Sequence, residues 1–382
     1  VIDQSSKTPL VFSDVVIKDS NISTVTNNDG EFVLKIPQTL LDGSLVLSYL
    51  GYQKKEIKIS TFDNNSKIAL TPANTELNVV EITTFKDAEA LLRETLKKRS
   101  SIYSNDNTLM TAFYRETIKK RKTNASLSEA IVHIHKQPYS NLENDAIELI
   151  KSRKNTDYTK LDTLAVKLQG GPFSNLYTDI IKYPEYIFTS EDIPLYNFSF
   201  DTSTQINDNL IYVINFKQKP GIVEPMYYGK LYIDSKTLAL TNAVYSLNVE
   251  NKELSSKMYV KKKPRRVDVY PTEATYRVNY RSHNGKWQYA YSNILLTFKV
   301  NWKGKLFNSV YTLSSEMAIT DWEINNTTMI RIREQNIKPT TILTDETSGF
   351  SDPEFWGEYN IIEPEKSIES AIEKIRKQLK RT

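Results

Sequence analysis

Apolar and polar residues alternate with a period of two along the N-terminal part of this chain. From Phe12 to Lys18, β-branched residues alternate with polar ones, and Asn28-Asp29-Gly30 then supplies a turn containing a residue free to take a positive φ. Phe32 to Ile36 alternates again until Pro37 stops it. Leu45 to Tyr49 is a short apolar run between Gly43 and Gly51, the pattern of a strand buried in a sandwich core, and Lys54 to Ile59 places Ile57 and Ile59 on one face. Further runs at Ile68 to Leu70 and Leu77 to Ile82 bring the expectation to about seven short strands, a small β-sandwich over residues 1–83.

Between Thr83 and Asp87 the period changes. Ala88, Leu91, Leu92 and Leu96 recur at helical spacing behind Asp87, a suitable N-cap. Strand-like segments follow at Thr111 to Lys119 and Ser126 to Lys136, then a polar stretch through Lys160 and a Gly170-Gly171-Pro172 break. A short helix is expected from Ser174 to Tyr183, ended by Pro184 because the residue before proline avoids the helical region. A long meander begins near Phe198: Leu210 to Gln218, Tyr228 to Asp234, Leu238 to Val249, Ser255 to Lys262, Ala274 to Arg281, Trp287 to Trp302 and Leu306 to Ile319, with Asn284-Gly285 and Lys303-Gly304 as turns. So many strands cannot stay flat and open. The protein is therefore expected to be mainly β, with a larger α+β domain at 84–349 built on a long, curved, half-barrel-like antiparallel sheet.

Residues 350–382 read as an aromatic, acidic segment followed by an amphipathic C-terminal helix. Ile368, Ala371, Ile372, Ile375 and Leu379 form its stripe, and Lys374, Arg376, Lys377, Lys380 and Arg381 place positive charge in the last turns, where it suits the helix dipole. Such a helix either docks on the sheet or offers its apolar face to a membrane or partner.

The order Asp3, Thr8-Pro9-Leu10, Asp14-Val15-Val16-Ile17, Thr24-Val25-Thr26-Asn27-Asn28-Asp29-Gly30-Glu31-Phe32 and Leu47-Ser48-Tyr49-Leu50-Gly51-Tyr52 resembles the carboxypeptidase-like regulatory domain of Bacteroidota envelope proteins. The resemblance implies a transthyretin-like sandwich with a non-catalytic role. In that family a Gly precedes the first Val by a residue or two, so the natural N-terminus is expected upstream of Val1. A helix followed by a many-stranded meander, with the segment Gly229-Lys230-Leu231-Tyr232-Ile233-Asp234 and Thr237-Leu238-Ala239-Leu240, resembles the half-barrel of periplasmic lipoprotein carriers. The ending Phe350 to Asn360 with Ile361-Ile362-Glu363-Pro364 is similar to that of an uncharacterised envelope family of the same phylum.

Composition narrows the function classes. At 382 residues the chain has room for two domains and an extension. The absence of cysteine excludes disulfides, thiol catalysis and zinc-thiolate sites. No apolar run of about 18 residues occurs, so no transmembrane segment of its own is expected, and a signal peptide is expected to have been removed upstream. A net charge of +4, from 50 basic and 46 acidic residues, disfavours a nucleic-acid partner. The 23 tyrosines suit large, half-wet strand surfaces.

Searches for catalytic motifs come out negative. None of His133, His135 and His283 stands in the His-x-x-Glu spacing of a metallocarboxypeptidase, and there is no nucleophile elbow, phosphate loop or dinucleotide glycine pattern. The expectation is a protein that is not an enzyme and carries no cofactor or metal. His133 and His135 share one side of a strand and would need a third ligand from elsewhere. Lys119-Lys120-Arg121-Lys122 and Lys261-Lys262-Lys263 with Arg265-Arg266 sit at hairpin ends, either as solvated turns or as a patch for phosphate-bearing lipid head groups or an acidic partner. Phe355, Trp356 and Tyr359 are candidate partner-docking anchors, or are pinned to the sheet by their own area. Asp162-Thr163-Leu164 resembles an O-glycan acceptor of Bacteroidota envelope proteins.

The first expectation for function is a non-enzymatic binding or scaffold subunit of an outer-membrane complex, with a β-barrel transporter or barrel-assembly machine as partner. Its place would be the periplasmic side or the surface of the outer membrane. The alternatives are a periplasmic lipid or lipoprotein carrier with an acyl-chain cavity in the curved sheet, and a glycan-binding surface protein. A cavity between Phe198 and Ile319 would favour the carrier, and a filled interior the scaffold.

Overall fold

Each run of alternation becomes a strand where a neighbouring run can pair with it. The computed structural model describes residues 1–63, 66–73, 85–156, 170–206, 209–260, 263, 265–304, 308–325, 336–343, 355–366 and 368. Strands β1 (Ile2–Asp3), β2 (Asp14–Ile17), β3 (Ser23–Val25), β4 (Ser44–Ser48), β5 (Lys55–Lys58) and β6 (Ala69–Leu70) make an antiparallel sheet in the order β3-β2-β4-β5 and a parallel pair β1-β6. Val15, Ile17, Leu45, Leu47, Ile68 and Leu70 pack together as the core of this sandwich. Asp3 fastens its first turn. Its carboxylate accepts the N–H groups of Ser5 and Ser6 and the Tyr52 hydroxyl at 2.6–2.8 Å. These bonds, Ser6 first and then Tyr52, hold its pKa down to about 2.

Two sequence expectations shift here. Phe12 does not begin a strand; it takes φ +62°, and its ring stacks on Tyr291 at 5.0 Å. A bulky residue in the left-handed region is strained, and here the stacked ring holds it. Phe32 to Ile36 joins no sheet, and the Lys35 N–H goes to the Asn360 side chain at 2.6 Å. The run Leu77 to Ile82 lies outside the described residues.

Helix α1 (Ala88–Lys97) starts where the Asp87 carboxylate accepts the Ala90 N–H at 2.8 Å, and it buries Ala88, Leu91 and Leu92. A single turn, α2 (Arg99–Ile102), leads to β7 (Thr108–Lys120), β8 (Thr123–Lys136) and β9 (Ala146–Thr156). After α3 (Pro172–Leu176) come β10 (Tyr196–Ile206), β11 (Asn209–Gln218), β12 (Tyr227–Asp234), β13 (Leu240–Leu247), α4 (Lys252–Tyr259), β14 (Val267–His283), β15 (Lys286–Trp302) and β16 (Ser309–Ile324). All ten strands from β7 onward form one antiparallel sheet in the order β10-β11-β12-β13-β14-β15-β16-β7-β8-β9.

The expected polar stretch before Lys160 contains β9, the last strand in the sheet order, whose outer side takes the Ile337 N–H on the Ile147 carbonyl at 3.1 Å. The helix expected at Ser174 to Tyr183 ends at Leu176, and Pro184 opens a 3-10 turn instead of stopping a helix. Ser255 to Lys262, expected as a strand, begins inside helix α4: Asn251 caps the Leu254 N–H at 3.1 Å, and Glu253 pairs with Lys257 at 2.8 Å.

Strand β12 needs its glycine. A Cβ on Gly229 would stand 2.2 Å from the Val244 carbonyl oxygen and 2.6 Å from the Tyr245 Cα, both backbone atoms of β13. Gly229→Ala is expected to cost about 1–3 kcal/mol or more, because backbone must move. A denaturation midpoint equal to wild type would show that this pairing yields freely.

Candidate functional site

The two faces of the large sheet differ in what covers them. On one face lie α1, α3 and α4; on the other lie the sandwich and the segment 355–366. Side chains alternate between the faces, so β7 sends Met110, Ala112, Tyr114, Glu116 and Ile118 to the helix-bearing side.

A polar band occupies the β7, β15 and β16 part of this helix-bearing face, while Tyr227 and Tyr276 pack against the apolar clusters on both sides of it. The Tyr114 hydroxyl donates to Glu116 at 2.9 Å, and Asn175 of α3 bonds to Ser292 and Ser315 at 2.9 and 2.7 Å. The Tyr289 hydroxyl lies 2.6 Å from Ser292. One apolar compartment on this side of the band holds Leu91, Leu92, Ile180 and Ile181 against β7, β8 and the β10–β13 strands. A second, on the far side, is walled by Ile118, Val269, Ile294, Leu296, Phe298, Val300, Tyr311 and Leu313. Helix α4 packs on β14 there. Tyr259 sets its ring edge-on to Phe298 at 5.8 Å and shares a 2.6 Å hydroxyl contact with Tyr276. Burial raises the Tyr259 hydroxyl to about 12. Both compartments are lined by buried side chains that pack against one another.

The first compartment encloses a charged cluster. Lys136 Nζ donates to Asp145 at 2.7 Å and to Asp179 at 2.8 Å, with all three side chains at most 2% exposed. Tyr139, Tyr183 and Tyr280 each give a hydroxyl to one of these carboxylates at 2.7–2.9 Å. Burial alone would lower the ammonium, but the two aspartates outweigh it and raise its pKa. Nearby Lys182 donates to the carbonyls of Pro138 and Asn141, and burial brings its amine down to about 8. Such a buried cluster, with its charges paired and hydrogen-bonded, holds a structure together. Sequence reading passed over it, although Lys136 continues the inward row Ala130, Val132, Ile134, where a charge is out of place.

A second charged cluster lies on the opposite face. Glu129, fully buried, accepts Arg115 Nε at 2.7 Å and Arg153 Nη2 at 2.7 Å, and Arg115 also reaches Glu316 at 3.1 Å. Burial would raise the Glu129 carboxyl, but the two guanidiniums prevail and hold it below its ordinary value. Arg115 Nη2 also donates to the Ile362 carbonyl at 2.8 Å, tying the C-terminal segment to the sheet. Trp356 is 4% exposed, edge-on to Phe113 at 5.5 Å and under the Arg153 guanidinium at 4.8 Å. Phe355 lies under Lys151 and Arg153, and the Tyr359 carbonyl accepts from Lys35 at 2.9 Å. Trp356 thus spends its area within the chain. The stripe beyond Ile368 lies outside the described residues.

Between this segment and the sheet is a polar cleft of about 110 Å³, bordered by Arg115, Lys119, Thr312, Ser314, Glu316 and Glu365. The sandwich closes over the same face. Arg281 bonds to Asp14 and Ser23 at 2.6 Å, and the side chains of Asn21 and Ser23 donate to carbonyls of β16.

The topology brings both basic runs to one end of the sheet. Arg121 and Lys122 form the turn between β7 and β8, the Arg121 N–H donates to Val310, and Lys303 N–H donates to Arg266 O at the start of β14. Lys119 lies 3.9 Å from Glu365, Lys120 sits over the Tyr311 ring at 5.9 Å, and Lys263 pairs with Asp268 at 3.3 Å. Lys261 and Lys262 lie outside the described residues, as does Asp162-Thr163-Leu164. His135 faces Glu148 at 3.6 Å, burial lowers His133, and no group of three or more metal-ligating side chains occurs among the described residues. Among these residues no helix is long and apolar enough to cross a membrane.

Comparison with known proteins bears on the sandwich. No curated protein matches the chain. Solved structures similar to it include a LolA superfamily protein from Nitrosomonas europaea, 9% identical over 62% of this chain and 94% of that one, with a TM-score of 0.23. A DUF1329 family protein from Desulfovibrio piger is 9% identical over 60% and 89%, also at 0.23. A lipovitellin structure concerned with lipid–protein interactions is 8% identical over 66% and 28%, at 0.28. Likenesses this loose assign no ligand. The family model described as CarboxypepD_reg-like domain matches residues 1–82, whose described residues, none beyond 73, form the sandwich fastened by Asp3 and Tyr52. Residues 1–82 are thus similar to the CarboxypepD_reg-like domain family.

Proposed function

We propose that the chain is a non-enzymatic binding protein of the cell envelope whose large sheet handles an acyl chain, as a lipid or lipoprotein carrier would. One observation carries the reading: the polar band leaves a second apolar compartment, roofed by the eight residues of α4 and adjoining a row of cations. That is the layout an amphiphile needs, apolar wall first and charged rim next. The compartment is closed by its own side chains, so entry requires α4 to lift. The Tyr259–Tyr276 hydroxyl contact is the latch.

The test is titration of the full chain with a fluorescent fatty acid. Saturable binding at one site is expected, with faster uptake in Tyr259→Phe, where losing one hydrogen bond of about 0.5–1.5 kcal/mol loosens the roof. No saturable uptake by either folded protein removes the carrier reading.

The packed interior favours a second reading, a scaffold subunit of an outer-membrane complex that uses the sheet and the rigidly docked sandwich as contact surfaces. Co-purification in stoichiometric amount with a β-barrel protein, without lipid, would select it.

A further inference from the structure

We infer that the basic end of the large sheet is a docking surface for an anionic phospholipid membrane. This inference goes beyond the acyl compartment and does not depend on its opening. Arg121, Lys122, Arg265, Arg266, Lys299 and Lys303 come from separate segments that end on the same side of the sheet. Lys299 pairs with Val310, whose carbonyl accepts the Arg121 N–H at 2.9 Å, so those two cations stand at one level. Arg266 and Lys303 stand further out, joined by a 2.9 Å backbone bond. Three interstrand steps of about 4.8 Å separate β14 from β7, so the row spans about 14 Å.

Among the described residues none of these six side chains has an acidic partner, whereas Lys18, Arg93, Lys230 and Lys257 elsewhere on the surface all do. Arg121, Lys122, Arg265, Arg266 and Lys303 are exposed. Leaving them unpaired on adjacent strand ends is electrostatically unfavourable unless an anionic surface comes to them. A row of turn tips meets a plane better than it fills a pocket. Charge complementarity therefore selects a phosphate-bearing lipid surface.

The experiment is co-sedimentation of the full chain with phosphatidylcholine vesicles, with and without phosphatidylglycerol, over a range of salt. Binding is expected only with the anionic lipid and should fall steeply as salt rises. Each cation near such a surface is worth roughly fivefold, so Lys122→Gln, Arg265→Gln, Arg266→Gln and Lys303→Gln together should weaken binding by about 10²–10³-fold. Removing the scattered exposed Lys54, Lys58, Lys67 and Lys97 in the same way should change it far less. These positions lie on the surface, so the variants should fold, which circular dichroism checks. Equal binding to both vesicle types, or an unchanged basic-end variant, overturns the inference. So does binding to polyglutamate with no vesicle binding, which would make the occupant an acidic protein. Vesicle binding and fatty-acid uptake are read separately, so either can fail while the other stands.

Discussion

Lys136→Met should lower the stability of the large sheet by about 3–5 kcal/mol at neutral pH, the cost of leaving a buried charge without its partner. Wild type sets the ammonium between Asp145 and Asp179 with both distances under 3 Å, and three tyrosine hydroxyls complete the cluster. Methionine keeps the volume and removes the charge, so two carboxylates face each other in an apolar surrounding. Burial and like charge then both favour the neutral acid, and one carboxyl should take up a proton. A raised folded-state pKa gives a deficit that grows as pH rises and shrinks as pH falls, so the variant should recover part of its stability near pH 5 relative to pH 8. The wild-type cluster has the opposite limit: with Lys136 raised, its contribution is full below the ordinary lysine value and is lost only as pH rises through the raised one. Lys136→Met combined with Asp179→Asn should lose less than the two single changes added together, because the second relieves the repulsion left by the first. Additive losses and a pH-independent deficit, measured by urea unfolding, would show that the three groups do not act as one unit.

What the sequence made legible follows the range of the interactions involved. Lys286 to Trp302 is readable because β15 is long, rich in aromatic and aliphatic residues and begins just after the Asn284-Gly285 turn, where Asn284 takes φ +50° and Gly285 +76°. Helix α1 is readable from Asp87 and its stripe. Helix α4 misleads because Tyr259 and Val260 look like strand, although the Asn251 cap and the Glu253–Lys257 spacing were there to be seen. The polar clusters are hidden for a different reason. Arg115, Glu129 and Arg153 meet only after β7, β8 and β9 have paired in register, and Glu316 arrives from a strand far along the chain. A residue-type clue still existed: Glu129 stands between Leu127 and Ile131 on one side of β8, and Lys136 follows Ala130, Val132 and Ile134 on the other, and a charge there implies a partner. The position of Phe12 could not be read at all, since nothing in an alternating run announces a positive φ.

Trp356→Ala should release the C-terminal segment while leaving the helix-bearing face intact. The indole packs this segment on the sheet against Phe113 and Ile131, beside Ile362 of the segment itself, and truncating so large a buried ring costs about 3–5 kcal/mol. The remaining ties are polar and weaker singly: Arg115 to the Ile362 carbonyl, Thr24 to the Ile361 carbonyl, Asn27 to the Glu363 carbonyl and Lys35 to the Tyr359 carbonyl. Three of these come from the sandwich, so the segment lies between sandwich and sheet and cements them. Its loss should therefore loosen the sandwich as well, although Arg281 with Asp14 and the Phe12–Tyr291 stack hold that interface independently. Limited proteolysis should cut the variant near Phe355 to Tyr359 much faster than wild type. Hydrogen exchange should rise across residues 23–35 and on the sandwich-bearing side of β7 and β8, with little change in α1 or around Lys136. Lys35→Ala, which removes an exposed tie, should produce only a small part of this response. If exchange instead rises evenly over the whole sheet, the segment is part of one cooperative core. If it rises nowhere, the polar ties alone hold the segment, and the buried indole contributes packing without fastening.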